Sequence, residues 1–141
     1  MQFDSGKAGA AVSLVRVLVV EDFEPFRQLV CATLGKRPDL QVVGEASDGL
    51  EAVQKAVELE PDLILLDIGL PTLNGIEAAR QIRELVPESK IIFLSVESSA
   101  DFIQEVLDLG AWGYIMKANA GRDLLVAVET VLSGKKIGSS T

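Results

Sequence analysis

The chain contains no histidine. Imidazole general-base chemistry and histidine metal ligation are therefore excluded. One cysteine, Cys31, rules out an internal disulfide. Among aliphatic neighbours it reads as a buried thiol in a reducing compartment. Long apolar runs are also missing, since none approaches the roughly 20 residues of a membrane span. Positive charge is scarce: 13 Lys and Arg against 21 Asp and Glu leave a net charge of −8. The folded surface is therefore not expected to bind nucleic acid unaided. The same acidity favours a divalent cation wherever carboxylates cluster. Met1 to Ser13 is Gly/Ala-rich, with Lys7 as its only basic residue and no apolar core, so it does not read as a signal peptide. Residues 1–14 are expected to form a disordered extension, and the cytoplasm is the default location.

What is present is a 141-residue chain, 48% hydrophobic and 24% charged. That is about one soluble domain with a core of useful size. Its most informative stretch is Leu63-Ile64-Leu65-Leu66-Asp67-Ile68-Gly69-Leu70-Pro71. Four large apolar residues run into one carboxylate, followed by turn residues. Such a run suits a strand buried on both faces, with Asp67 at its carboxyl end.

The rest of the chain alternates around this strand. Arg16–Val20 reads as a strand ending in Glu21-Asp22. Pro25 suits the first turn of a helix, and Phe26, Leu29, Val30 and Leu34 form its inward stripe. Gly35 and Pro38 end it. Gln41–Ala46 is more polar, as an edge strand would be. Asp48 can cap a helix that turns Val53, Ala56 and Val57 inward and stops before Pro61. Beyond Asp67 a helix starts near Asn74-Gly75, with Ile76, Ala79, Ile82 and Val86 as its stripe and Pro87 after it. Ile91–Leu94 is a strand ending at Ser95. Ser98 and Ser99 are candidate caps for a helix carrying Phe102, Ile103, Val106 and Leu107, closed by Gly110. Gly113–Met116 is a short strand ending at Lys117. A last helix, about Ala120 to Ser133, turns Leu124, Leu125, Val128, Val131 and Leu132 inward, and Gly134 to Thr141 forms a polar tail.

Five strands alternating with five helices predict an α/β fold, a doubly wound parallel sheet covered on both faces. All strand ends of one sense lie on one edge of such a sheet. Glu21-Asp22, Asp67, Ser95 and Lys117 then converge on one cleft: three carboxylates, a hydroxyl and an ammonium. Taken singly, each has an ordinary reading as a helix cap, a loop residue or a solvated charge. Together, at four strand ends, they do not.

These motifs, in this order and spacing, resemble the receiver domains of two-component response regulators. The resemblance covers about Arg16 to Gly134, and a receiver domain is expected over 15–134. It implies the flavodoxin-like (βα)5 fold with strand order 2-1-3-4-5. It implies that Asp67 is the phosphoacceptor, taking a phosphoryl group from a phosphohistidine on a sensor histidine kinase. Mg2+ would be held by Glu21, Asp22, Asp67 and the backbone carbonyl of Gly69. Lys117 would pair with a phosphoryl oxygen. Ser95 would donate to another and, with Tyr114, act as the switch that remodels the surface of the fourth helix, fifth strand and fifth helix. The resemblance thus implies a phosphoacceptor signalling domain, assisting its own phosphorylation and dephosphorylation, rather than an enzyme with a turned-over substrate.

Gly110-Ala111-Trp112-Gly113-Tyr114-Ile115-Met116-Lys117-Ala118 and Ala127–Lys136 resemble the NarL/FixJ (LuxR-type) subfamily, whose receivers lead into helix-turn-helix DNA-binding domains. No segment here is long or basic enough to be one. Residues 135–141 are expected to be a tail or the start of a linker to an output domain outside this chain. DNA would be reached only through that domain. A stand-alone receiver acting by protein–protein contact is the alternative, and a phosphorylation-linked homodimer is a family expectation. Trp112 reads as a half-exposed aromatic near the switch surface. Two departures stand out. Ala118, followed by Asn119, replaces the proline many receivers carry after the lysine. A cis bond there would cost about 3 kcal/mol, and the peptide's geometry is left open. Val96 follows Ser95 where many receivers have a smaller residue, and its bulk is expected to slow small phosphodonors. Glu97 and Gly69, two residues beyond Ser95 and Asp67, occupy positions that tune aspartyl-phosphate lifetime in the family.

Two other classes share parts of this pattern. A flavin or nucleotide binder of the same fold would need phosphate-cradling glycines after the first strand, where Glu21-Asp22-Phe23-Glu24-Pro25 stands. A haloacid-dehalogenase-type phosphatase would need a second acid at the position of Gly69.

Overall fold

The computed structural model describes residues 14–96 and 99–137. The expected extension at 1–14 falls outside them apart from Leu14, as do Glu97, the cap candidate Ser98 and the end of the tail. Five strands form one parallel sheet: β1 (Val15–Val20), β2 (Leu40–Ala46), β3 (Leu63–Asp67), β4 (Lys90–Ser95) and β5 (Gly113–Met116). Their order is β2-β1-β3-β4-β5. Five helices alternate with them: α1 (Glu24–Leu34), α2 (Gly49–Leu59), α3 (Gly75–Leu85), α4 (Ala100–Asp108) and α5 (Ala120–Leu132). The expected order and the flavodoxin-like class are both borne out.

The continuous apolar runs reflect two cores on one sheet. Leu18, Val20, Ile64, Leu66, Ile91 and Phe93 face α2, α3 and α4. Val17, Val19, Leu63, Leu65, Ile92 and Leu94 face α1 and α5. Side chains alternate between faces with period two, so a strand buried on both sides shows no alternation in its sequence. β2 lies at the edge, and its register on β1 shifts between Val17 and Leu18.

The caps fall where the side chains can satisfy free helical N–H groups. Asp48 accepts from Glu51 N–H and Asn74 from Glu77 N–H. Ser99 accepts from Phe102 N–H at 3.1 Å. Glu60 ends α2 in the left-handed region, at φ 46°. Gly110 takes φ 98° directly after the α4 cap, a conformation glycine adopts without a Cβ penalty.

Several details differ from the sequence reading. Leu29 and Val57 are exposed rather than inward, because each lies at the edge of its helical stripe. Cys31 is only half-buried. A single 3-10 turn, Lys117–Asn119, links β5 to α5, and the Lys117–Ala118 peptide is trans. The segment after α5 is not a free polar tail throughout. Ile137 N–H donates to Trp112 O at 2.8 Å, and its side chain packs on the α1–α5 core. Lys90 and Lys136 lie 4.3 and 5.3 Å from the centroid of the half-buried Trp112 ring. No helix among the described residues is long and apolar enough to cross a membrane.

Candidate functional site

The chain order reverses between β1 and β3, which are neighbours in the sheet. In parallel α/β sheets this reversal opens a crevice at the carboxyl ends of the strands. Glu21 and Asp22 follow β1 directly, Asp67 is the last residue of β3, Ser95 is the last of β4, and Lys117 follows β5. All five, with Gly69, line one cleft of about 390 Å³. Every residue assigned to phosphoacceptance or metal binding therefore reaches one place. Tyr114, expected from the resemblance to be the second switch residue, does not line it. It is buried on β5 and lines a separate apolar hollow of about 530 Å³ between α4, β5 and α5, together with Ile103, Met116, Val126 and Ile137.

The cleft is built around a buried charge cluster. Lys117 Nζ stands 2.8 Å from Glu21 Oε1 and 3.2 Å from Asp67 Oδ1. Asp67 Oδ1 also accepts from Gly69 N–H at 3.2 Å, and Glu21 Oε2 accepts from Phe23 N–H at 3.0 Å. Burial pushes the Asp67 carboxyl up, against the charge of Lys117 and the Gly69 N–H. Burial also raises Glu21, opposed by the adjacent Lys117 ammonium and the Phe23 N–H and reinforced by the charge of Asp67. Burial works against the Lys117 ammonium, but its two carboxylate partners outweigh that and hold it above its usual value.

Glu21, Asp22 and Asp67 each offer an oxygen within 4.8 Å of the others. Glu21 Oε1 is completely buried and lacks a well-directed hydrogen bond, although the Lys117 ammonium lies beside it. An all-oxygen, strongly anionic donor set with one under-satisfied buried oxygen suits a hard divalent cation such as Mg2+. The residues present therefore fit the metal that the resemblance implies.

The backbone beneath the site is tightly packed. A Cβ on Gly75 would lie 2.1 Å from Asp67 O, and one on Gly49 would lie 1.7 Å from Leu73 O. Both glycines open helices that press on the segments flanking Asp67. Three apolar neighbours of the cleft were not singled out from sequence. Exposed Phe23 and half-buried Phe102 line it beside Val96. Phe26 lies with its ring centroid 5.3 Å from Lys117 Nζ. A second unanticipated contact belongs to Arg27, whose guanidinium reaches Glu21 O and Glu45. A helical stripe marks Phe26 as core, and no sequence pattern shows that it borders an ammonium.

The family model for the response regulator receiver domain matches residues 17–129. The chain belongs to that family. Curated relatives of this receiver domain include the transcriptional regulatory protein LiaR of Bacillus subtilis, 38% identical over 122 residues. That match covers 86% of this chain and 58% of LiaR. The transcriptional regulatory protein DegU of Brevibacillus brevis is 33% identical, over 85% of this chain and 51% of its own length. The receiver domain thus spans between half and three-fifths of the length of these relatives. Among solved structures, a LuxR-family two-component response regulator from Aurantimonas sp. SI85-9A1 superimposes with a TM-score of 0.84 at 31% identity, covering 90% of this chain and 91% of that one. The signal receiver domain of a NarL response regulator from Mycobacterium tuberculosis gives 0.80 at 30% identity, covering 87% and 99%. These likenesses support the NarL/LuxR-type assignment.

Proposed function

We propose that this receiver domain accepts a phosphoryl group on Asp67 from a sensor histidine kinase in the cytoplasm and controls a transcriptional output domain outside this chain. The observation that carries the reading is the meeting of Glu21, Asp22, Asp67, Ser95 and Lys117 in one cleft at the switch point of the sheet. In the transfer, an Asp67 carboxylate oxygen attacks phosphorus. The P–O bond forms as the P–N bond to the kinase imidazole breaks, and the imidazole leaves with the bonding pair.

Lys117 and the Gly69 N–H hold one Asp67 oxygen and so orient the carboxylate. Glu21, Asp22, Asp67 and the Gly69 carbonyl would hold Mg2+, which when bound neutralises charge on the transferring group. Lys117, already within 3.2 Å of Asp67 Oδ1, would pair with a phosphoryl oxygen added there. Ser95, at the end of the adjacent strand, supplies the hydroxyl for another.

Phosphorylation adds about −1.5 to −2 charges at neutral pH. The readout follows β5. Tyr114 lies three residues before Lys117 on that strand and lines the hollow between α4 and α5. Movement of Ser95 and Tyr114 would reshape that face. The relatives' names as transcriptional regulators support control of DNA binding as the output. A phosphorylation-linked homodimer is part of this proposal.

Intact mass tests the reading. The protein is incubated with Mg2+ and acetyl phosphate, and wild type is compared with Asp67→Asn. One phosphoryl on wild type alone is the expected result. If Val96 blocks the small donor, beryllofluoride should still change Trp112 fluorescence in the presence of Mg2+. Silence in both experiments refutes phosphoacceptance.

A further inference from the structure

Arg27 lies outside the cleft, yet it organises the turn that carries two of the cleft's carboxylates. Its Nη1 donates to Glu21 O at 2.9 Å, and its Nε pairs with Glu45 Oε1 at 2.9 Å. Glu21 N–H donates to Ala46 O at 2.9 Å. The Glu21 backbone is thus tied on one side to β2 and on the other to α1, and Arg27 closes the loop by binding β2 through Glu45. The Arg27 side chain is 18% exposed, and that of Glu45 49%.

The carbonyl that Arg27 holds belongs to the peptide joining Glu21 to Asp22. Fixing that peptide fixes how the two carboxylates stand relative to each other and to Asp67. Without a restraint, mutual repulsion would drive the exposed Asp22 away from the buried pair. The guanidinium is itself matched by Glu45, so the pair adds little net charge to the cleft. Its effect on the site is geometric.

We infer that Arg27 is a positioning residue for the metal site, holding the Glu21–Asp22 turn in a cation-ready arrangement. The inference rests on the reading of the cleft as a Mg2+-assisted phosphoacceptor. Groups that orient metal ligands from behind typically change affinity by about 10–100-fold when removed. Lysine cannot replace arginine here. Its single ammonium lacks the planar fork that donates in two fixed directions.

The test is a calorimetric titration of Mg2+ into the unphosphorylated protein, comparing wild type, Arg27→Met and Arg27→Lys, with melting temperatures measured in EDTA. Arg27→Met should bind Mg2+ about tenfold more weakly, and Arg27→Lys should not restore the affinity. In phosphorylation assays the loss should fall mainly on the Mg2+ concentration for half-maximal rate rather than on the rate at saturating Mg2+. Unchanged Mg2+ affinity in Arg27→Met overturns the inference, as does recovery by Arg27→Lys. A loss confined to melting temperature also overturns it, since it would make Arg27 a stability contact only. If wild type binds no Mg2+, the phosphoacceptor reading fails first, and this inference with it.

Discussion

Replacing Asp67 by asparagine should stabilise the metal-free protein near neutral pH. Asp67 and Glu21 are both buried, with oxygens within 4.8 Å. At an effective dielectric of about 20, two unit charges at that distance repel by about 3.5 kcal/mol. Lys117, 3.2 Å from Asp67 Oδ1, contributes an attraction of about 5 kcal/mol on the same scale. Exposed Asp22 adds a screened repulsion below about 1 kcal/mol. These charge effects cancel to within roughly 2 kcal/mol, so the loss of hydration on burial decides the sign. The outcome is a raised Asp67 carboxyl.

A carboxyl with a raised folded pKa binds protons more tightly in the folded state than in the unfolded state. Its stabilising contribution is complete below the unfolded value and is lost as pH rises through the folded one. Metal-free stability should therefore fall as pH rises from the ordinary carboxylate range toward neutral. The Asp67→Asn substitution would remove the Asp67 part of that slope while keeping an oxygen to accept from Gly69 N–H. The gain expected at neutral pH is on the order of 1 kcal/mol, the usual size of a single-substitution effect, or a few degrees in melting temperature for a domain of this size. Scanning calorimetry in EDTA across this pH range measures it. Saturating Mg2+ should reverse the order, since a ligand at 100 times its dissociation constant adds about 2.7 kcal/mol to the state that binds it. An Asp67→Asn variant melting below wild type in EDTA at neutral pH would refute the reasoning. So would a gap that fails to narrow toward acid.

Two further substitutions probe the same cleft. Lys117→Met should act in the opposite sense, destabilising the metal-free protein by about 3 kcal/mol because two buried carboxylates lose their cation. Urea unfolding in EDTA and in Mg2+ checks this, with part of the loss recovered by the metal. Val96→Ala, at an 82% exposed position on the cleft rim, should speed acetyl-phosphate labelling by at least about twofold, roughly 0.4 kcal/mol of barrier. Equal labelling rates would show that the valine does not limit access.

The elements of this fold were legible in the sequence because their signals are local. Four apolar runs of strand length and one more polar one, prolines confined to loops and a first helical turn, and Asp48, Asn74 and Ser99 before helical stripes each mark a boundary. Strand order came from resemblance, because nothing local says that β2 lies outside β1. The cleft residues were legible because parallel strands bring their carboxyl ends to one edge, which turns sequence position into spatial position. What escaped is what depends on rotation and on distant partners. Leu29 and Val57 sit at the margins of their stripes, where a small rotation of the helix decides exposure. Arg27 reads as an ordinary polar position on α1, and its two acceptors lie on segments that only the tertiary fold brings beside it. Ile137 follows a glycine and two lysines, and its docking on Trp112 depends on β5 being an edge strand with a free carbonyl nearby.

The charge pattern of the cleft explains why one lysine can serve both a resting and a charged site. In this arrangement the single charge of Lys117 is shared between Glu21 and Asp67, with Asp22 close by, and burial leaves both buried carboxyls raised. The acidic cluster is therefore under-neutralised, and added positive charge stabilises it. With a divalent cation held by Glu21, Asp22 and Asp67, Lys117 would be freed from part of its pairing. A phosphoryl group on Asp67 would then give the lysine a new anionic partner a short distance away. Lys117 is covalently continuous with β5, and the 3-10 turn after it leads directly into α5. On the proposed reading, a change of partner at the ammonium would act on the strand and helix that border the Tyr114 hollow. Such coupling would need no long relay, because Lys117 adjoins the strand and the helix that border the hollow.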